Sequence, residues 1–279
     1  MKTLSIYMIL FCLISSISFS QQAIQVKTQG NGQPILFLPG FANSSHVWDE
    51  TLPNLNSNYE FHLTDYAGVN GITPLASPWL ENVKKSLINY VKSNDLKNIT
   101  IIGHSLGGTL ALYLAAELDD YIKQIIIVDA LPNTAKLMFP NQQTGSFSYD
   151  NPYAKSQLEM SSEGFEQLIS QQLNMMCKNK KKHSLIKDWM VNTDRKTYVF
   201  GYIDYLNFDA TPYLEKIACE VTILSATNFG KAQSERVYES QYKNLKSYTL
   251  LFAEGAAHYI MFDQPDWFYN EVNQILADE

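Results

Sequence analysis

Short runs of almost unbroken apolar residues alternate along this chain with longer stretches whose apolar positions recur every three or four residues. The runs "PILFLPG" (34–40), "NITIIGH" (98–104), "QIIIVDA" (124–130), "EVTILSA" (220–226) and "SYTLLFAEG" (247–255) read as strands, most of them buried on both faces, and "EFHLTDY" (60–66) reads as another. Between them, "SPWLENVKKSLINYVKSNDL" (77–96) and "GTLALYLAAEL" (108–118) have helical spacing, and "DWFYNEVNQILADE" (266–279) closes the chain as a helix. Strands alternating with helices predict an α/β fold, a mostly parallel sheet with helices on both faces.

The alternation stops between residues 132 and 215. That stretch is rich in methionine, glutamine, lysine and tyrosine, shows helical periodicity in "FEQLISQQLNMMCK" and "SLIKDWMVNT", and holds no convincing buried strand. It reads as a helical cap inserted over the carboxyl edge of the sheet, dividing the core into residues 21–131 and 216–279. The chain has 279 residues, 46% of them hydrophobic and 13% aromatic, enough for a large core.

Residues 1–20, "MKTLSIYMILFCLISSISFS", place one lysine ahead of an apolar run and small residues before Gln21, the layout of an export signal. The run from Leu4 to Ile17 falls short of the ~20 residues that span a bilayer. A periplasmic or secreted protein is therefore expected, with no stable membrane span. Cys12 follows the bulky Phe11, which argues against a lipid-modified cysteine. Cys177 and Cys219 remain in the mature chain; they have no metal-ligand spacing, and their pairing is left open. Neither metal nor cofactor is expected. A formal charge of −7 argues against a nucleic-acid or anionic-membrane surface, and the basic run "KNKKKH" (178–183) reads as a solvated helix end.

The candidate chemistry begins at "GHSLG", Gly103 to Gly107. An apolar strand precedes it and an Ala/Leu-rich helix follows, the context of a G-x-S-x-G nucleophile elbow, in which a serine held at positive φ needs nearly side-chain-free neighbours. A serine hydroxyl is a weak nucleophile until a base takes its proton, so Ser105 calls for a histidine on another loop. His258, after the last strand in "EGAAHYIMFDQPDWF", has that position. His62 lies within a strand, His183 in the basic run, His46 in an early loop and His104 on the elbow itself. The oxyanion formed by attack on a carbonyl needs backbone donors, here the N–H of Leu106 after the nucleophile and that of Phe41 after Pro39-Gly40.

The segments "LFLPGFANSSHVWDETLPNL", "LTDYAGVNG", "IIGHSLGG" and "HYIMFDQPDWF" together resemble the α/β-hydrolase fold family, its capped members in particular. The resemblance implies a Ser/His/acid hydrolase acting on esters or related acyl bonds. It also implies an acid after the strand "EVTILSA", where this chain reads "SATNFG" and carries Asn228. Asp129, one strand over at the end of "QIIIVDA", is the alternative acid; a triad without any carboxylate stays open as well. Asp263 reads as an ordinary polar residue and Glu235 as a solvated helix residue. The leading expectation is a serine hydrolase for a small-molecule, apolar acyl substrate. A ligand-binding homologue without turnover, an acyltransferase and a C–C bond hydrolase remain alternatives, and Ser105 at the elbow disfavours nucleophilic-aspartate chemistry. The cap's Met138, Phe139, Met160, Met175, Met176, Trp189 and Met190 either line a pocket or pack the cap helices together.

Overall fold

The computed structural model describes residues 22–55 and 58–277; the expected export signal lies outside the described residues. Seven strands form one sheet: β1 (Ile24–Gly30), β2 (Gln33–Leu38), β3 (Tyr59–Tyr66), β4 (Ile99–His104), β5 (Ile122–Val128), β6 (Glu220–Ala226) and β7 (Thr249–Ala253). Their spatial order is β1-β3-β2-β4-β5-β6-β7; β1 runs antiparallel to β3, and every other neighbouring pair is parallel. The topology is that of the α/β-hydrolase fold.

Alternate strand residues feed two separate apolar layers. Leu36, Leu38, Ile99, Ile101, Ile125, Ile127 and Ile223 point to one layer, while Ile35, Phe37, Ile102, Ile126, Val128 and Leu224 point to the other. Both faces of the central strands are thus buried, which is why they appear in the chain as unbroken apolar runs rather than alternating ones. The first layer is covered by α1 (Trp79–Ser93) and α2 (Leu106–Glu117) and by Tyr238 and Tyr242 of α8 (Lys231–Tyr242). The second is covered by α10 (Pro265–Ala277), which follows the short α9 (Ile260–Asp263), and by residues of the segment between β5 and β6 such as Phe165, Ile169 and Ile186. In α1 the buried Leu80, Val83, Leu87 and Val91 share one stripe, and burying each such side chain stabilises by ~1.5–3 kcal/mol.

Two elements differ from the sequence expectation for identifiable reasons. The edge strand β1 was not expected, because only Ile24 and Val26 are at all withdrawn from solvent and the rest of the strand carries no apolar signal. Its turn into β2 uses Gly30 and Gly32 at φ +81° and +123°, where a Cβ would lie 2.4 Å from the Tyr59 carbonyl oxygen and 2.0 Å from that of Asn58. The strand expected over 124–130 begins at Ile122 and stops at Val128, because Asp129 turns out of the sheet at φ +44°.

Between β5 and β6 the chain forms α3 (Thr134–Met138), α4 (Pro152–Glu159), α5 (Ser162–Met176), α6 (His183–Asn192) and α7 (Arg195–Asn207), with no strand among the described residues there. Helices α5 and α6 occupy the two periodic segments of the sequence. Helix α7 is hidden from periodicity because Tyr198, Val199, Gly201, Ile203, Tyr205 and Leu206 are buried around most of its circumference, leaving only a narrow polar side at Lys196, Asp204 and Asn207. Its start is nonetheless marked: the Asp194 carboxylate accepts from the Thr197 N–H at 2.8 Å, and the Asn151 and Ser161 side chains cap α4 and α5 in the same way. No described helix is long and apolar enough to cross a membrane.

The basic run is not simply solvated. Lys182 pairs with Glu50 and lies over the Phe262 ring, tying the segment between β5 and β6 to residues on either side of it in the chain. Cys177 and Cys219 are both free thiols, and burial pushes each up to about 12, so the structure does not pair them.

Candidate active site

At the end of β4 the backbone reverses at Ser105, which sits at φ +54° and ψ −121°, and α2 starts at the next residue. Such a conformation costs a non-glycine residue about 1–3 kcal/mol and persists only where the surroundings enforce it. Here the enforcement is steric. A Cβ on Gly103 would lie 2.3 Å from the Gly107 carbonyl oxygen, and one on Gly107 would lie 2.1 Å from that of Leu38. The two glycines flanking the serine let α2 pack directly on the ends of β2 and β4, and the Ser105 N–H is tied to the Val128 carbonyl at 3.0 Å. The serine side chain is left at the carboxyl edge of the sheet.

The segment after β2 passes close beside the elbow: a Cβ on Gly40 would lie 3.2 Å from the Ser105 Cβ. The Phe41 N–H donates to no acceptor among the described residues. The N–H of Leu106, first residue of α2, precedes the helix's own hydrogen-bond ladder. Both sequence-expected oxyanion donors are therefore backbone groups without a partner among the described residues, on the two segments that meet at Ser105.

His258 lies in the loop between β7 and α9, and its Nδ1 is 2.7 Å from Oδ2 of Asp129. The Asp129 carboxylate also accepts, at Oδ1, the Ala226 N–H at 2.9 Å and the Tyr238 hydroxyl at 3.0 Å. Burial works to raise its pKa, but the His258 hydrogen bond and charge, with the Ala226 and Tyr238 donors, outweigh it and hold the carboxyl below its ordinary value. Asn228, at the place where the resemblance puts the acid, turns the other way and donates from Nδ2 to the Met175 carbonyl at 3.1 Å. The structure brings His258 to Asp129 and not to Asn228.

His104 holds the other side of the base loop: its Nε2 donates to the His258 carbonyl at 2.9 Å, and the two rings are 4.6 Å apart. Burial, then the neighbouring His258 charge, lower the His104 pKa to about 3, so the ring is neutral. An unfolded histidine binds a proton near pH 6.5, so between that value and the folded one the unfolded chain holds the extra proton. Stability then falls on acidification, by ~1.4 kcal/mol per pH unit. His104→Gln is expected to lack this slope, so its stability deficit against the natural chain narrows by about 2 kcal/mol from pH 6.5 to pH 5. Urea midpoints that keep a constant gap across that window would contradict the assignment.

Sequence reasoning missed two parts of the site. Tyr205, from α7, accepts from the Thr134 hydroxyl at 2.7 Å and lies 3.3 Å from the hydroxyl of Thr109, one helical turn beyond Ser105. Burial raises its pKa, so it stays a neutral phenol. Nothing in the one-dimensional pattern distinguishes it from the tyrosines around it. Asp263 is not an ordinary polar residue: it accepts the Ala257 N–H at 2.8 Å and the Lys178 and Asn179 N–H groups at 2.9 Å each, joining the His258 loop to the end of α5. Glu235 is exposed, as expected.

Around the oxyanion segment, the Phe41 ring rests against Trp79, Tyr198 and Tyr202 with centroids 5.5–5.8 Å apart. Of the cap's apolar set, Trp189 and Met190 are buried between helices, whereas Met138 and Met175 are exposed. The Tyr202 hydroxyl donates to Sδ of the exposed Met138 at 3.0 Å. No group of three or more His, Cys, Asp or Glu side chains suited to a metal ion occurs among the described residues.

Against known proteins, a family model described as the alpha/beta hydrolase fold matches residues 33–265. The pimeloyl-[acyl-carrier protein] methyl ester esterase of Vibrio vulnificus (strain YJ016) is 27% identical over 109 residues, covering 39% of this chain and 41% of that one. The chain thus spans about two fifths of the length of the curated relatives it matches. Solved structures align over far more: the enol-lactonase of Burkholderia xenovorans LB400 has a TM-score of 0.74 at 16% identity, covering 91% of this chain and 96% of that one. An esterase (EaEST) of Exiguobacterium antarcticum has a TM-score of 0.72 at 18% identity, covering 91% and 95%. The strained serine corner, the sheet order and the family match over most of the chain lead to one conclusion: this protein belongs to the alpha/beta hydrolase fold family.

Proposed function

We propose that the chain is an exported serine hydrolase that cleaves a neutral carboxylic ester through an acyl-enzyme. The observation that carries this reading is the Asp129–His258 hydrogen bond of 2.7 Å at the same sheet edge as a serine held at φ +54°. The named activities of the relatives, a methyl ester esterase, an enol-lactonase and an esterase, support chemistry at an ester carbonyl.

With Asp129 accepting from Nδ1, the His258 ring keeps Nε2 as a free base. Ser105 Oγ attacks the carbonyl carbon as His258 Nε2 takes its proton, and the oxygen of the tetrahedral intermediate is held by the Phe41 and Leu106 N–H groups. The proton passes from His258 to the leaving alcohol, and the ester C–O bond breaks. Water then gives its proton to His258 and attacks the acyl-enzyme, and the acid leaves with Ser105 restored.

The preference for an uncharged substrate follows from the surroundings. Apart from Asp129 and the Asp263 carboxylate, whose oxygens take backbone N–H groups of the His258 loop and of residues 178 and 179, the groups hydrogen-bonded around the site are neutral: Tyr205, Thr109, Thr134, Tyr238 and His104. Arg195 of the cap is occupied by the Gln157 and Met160 carbonyls at 2.9 and 3.1 Å and is stacked on Phe165. An acyl group beside Phe41 meets aromatic rings instead. The expected result is covalent labelling at Ser105 by a fluorophosphonate probe, and hydrolysis of short p-nitrophenyl esters in preference to their carboxylate-bearing analogues. The mature exported protein should begin near Gln21 on N-terminal sequencing. Absence of labelling in the folded protein would remove the nucleophile from the scheme.

A further inference from the structure

Two buried side chains outside the triad, Asn43 and Tyr259, join the oxyanion segment to the base loop. Asn43 follows Ala42, which is itself held at φ +54°, a left-handed conformation that a residue with a Cβ resists. The strained turn is closed by Asn43 twice: its N–H donates to the Gly40 carbonyl at 3.2 Å, and its Nδ2 donates to the Phe41 carbonyl at 2.8 Å. The side-chain bond steadies the turn in which the backbone bond to the Gly40 carbonyl forms. The Gly40 carbonyl and the Phe41 N–H are opposite ends of one planar amide, so a donor that anchors the carbonyl sets the direction of the N–H.

The orientation of the Asn43 amide is set in turn by Tyr259, whose hydroxyl donates to Asn43 Oδ1 at 3.0 Å. With Oδ1 committed as acceptor, Nδ2 must face Phe41. Tyr259 is fully buried and follows His258 in the chain; its ring lies 5.0 Å from that of His104 and its own N–H donates to the Met176 carbonyl at 3.2 Å. Burial raises the phenol's pKa, which keeps its proton in place as the donor. Ser105, Asp129 and His258 need neither residue in order to exchange a proton, yet the pair spans the gap between the group that receives the proton and the group that receives the negative charge.

We propose that Asn43 and Tyr259 are positioning residues that hold the Phe41 N–H and the His258 imidazole in one fixed relation, so that oxyanion stabilisation and proton transfer are aligned together. The proposal rests on the serine-hydrolase reading above.

Tyr259→Phe removes the hydroxyl alone, and Asn43→Ala removes the side-chain bonds to the Phe41 carbonyl and the Tyr259 hydroxyl while leaving the backbone bond to Gly40 without its support. With p-nitrophenyl butyrate as probe, each is expected to lower kcat about tenfold while KM stays within about twofold, a fraction of the ~10²–10³ lost when an oxyanion donor is removed outright. Affinity for a trifluoromethyl ketone, which forms a tetrahedral adduct, should fall by the same factor as kcat/KM, a readout that mere loosening of the fold would not reproduce. Because the two residues act as one device, the double variant should be no slower than the slower single variant. If either variant is too unstable to assay, the other with the ketone decides. Unchanged kcat in a folded Tyr259→Phe or Asn43→Ala, or losses that multiply in the double variant, would overturn the proposal while the natural chain still hydrolyses ester and labels at Ser105. A natural chain that does neither removes the underlying reading, and this one with it.

Discussion

Asp129→Asn is expected to lower kcat for ester hydrolysis about 10⁴-fold with little loss of fold, the scale seen when a triad aspartate is made an amide in a serine protease. The geometry shows why an amide of the same shape fails. Asp129 Oδ1 accepts the Ala226 N–H, a donor fixed by the backbone, so an asparagine here places its single oxygen at that position. Its NH₂ then faces His258 Nδ1, where Oδ2 now sits 2.7 Å away. Two donors cannot share that contact, so the imidazole must carry its proton on Nε2, the atom required to accept from Ser105. Adding Asn228→Asp to this variant should not restore the rate, because His258 Nδ1 is directed at residue 129 and not at residue 228. Steady-state kcat of the two variants checks both statements. A loss under tenfold in Asp129→Asn, or recovery in the double variant, would move the acid elsewhere. The lowered pKa of Asp129 also fixes a sign: its ionisation stabilises the fold above its unfolded value of 3.8, and that contribution disappears as pH drops through the lower folded value.

Ser105→Ala should have the larger effect, on the order of 10⁶ in kcat, with a residual ~10³–10⁴ over water from the oxyanion donors and substrate binding. It also separates chemistry from strain. Alanine keeps the Cβ and therefore the unfavourable φ of +54°, so its stability should match that of the natural chain. Ser105→Gly is equally inactive but relieves the conformation, and is expected to be more stable by about 1–3 kcal/mol. A calorimetric comparison of the three proteins reads the difference directly. A glycine variant no more stable than the alanine variant would mean that the corner is not strained in the way its backbone angles indicate.

Much of this was legible along the chain. The buried strands announce themselves because a parallel strand covered on both faces must be apolar at every position, as in Ile101 and Ile102 or the run Ile125 to Val128. The elbow is legible because the demand for small neighbours is local, and Gly103 and Gly107 stand beside the serine they serve. Strand β1 and helix α7 were not, for opposite reasons: one is too exposed to carry an apolar signal, the other buried around too much of its circumference to show a clear one. The acid on His258 was left between Asp129 and none, since Asn228 stands where the resemblance puts a carboxylate and no spacing rule says whether a side chain one strand over reaches the imidazole.

What the chain alone determined, then, was the sheet, the strained serine and the loop that bears His258, because each depends on residues close together in sequence or on simple periodicity. Only the tertiary structure decided where the imidazole turns, that α7 brings Tyr205 beside Thr109 next to the serine corner, and how Asn43 reaches Tyr259. Those contacts join residues from distant parts of the chain, and a hydrogen bond depends on direction over about 3 Å, a quantity that exists only once the strands have been laid side by side.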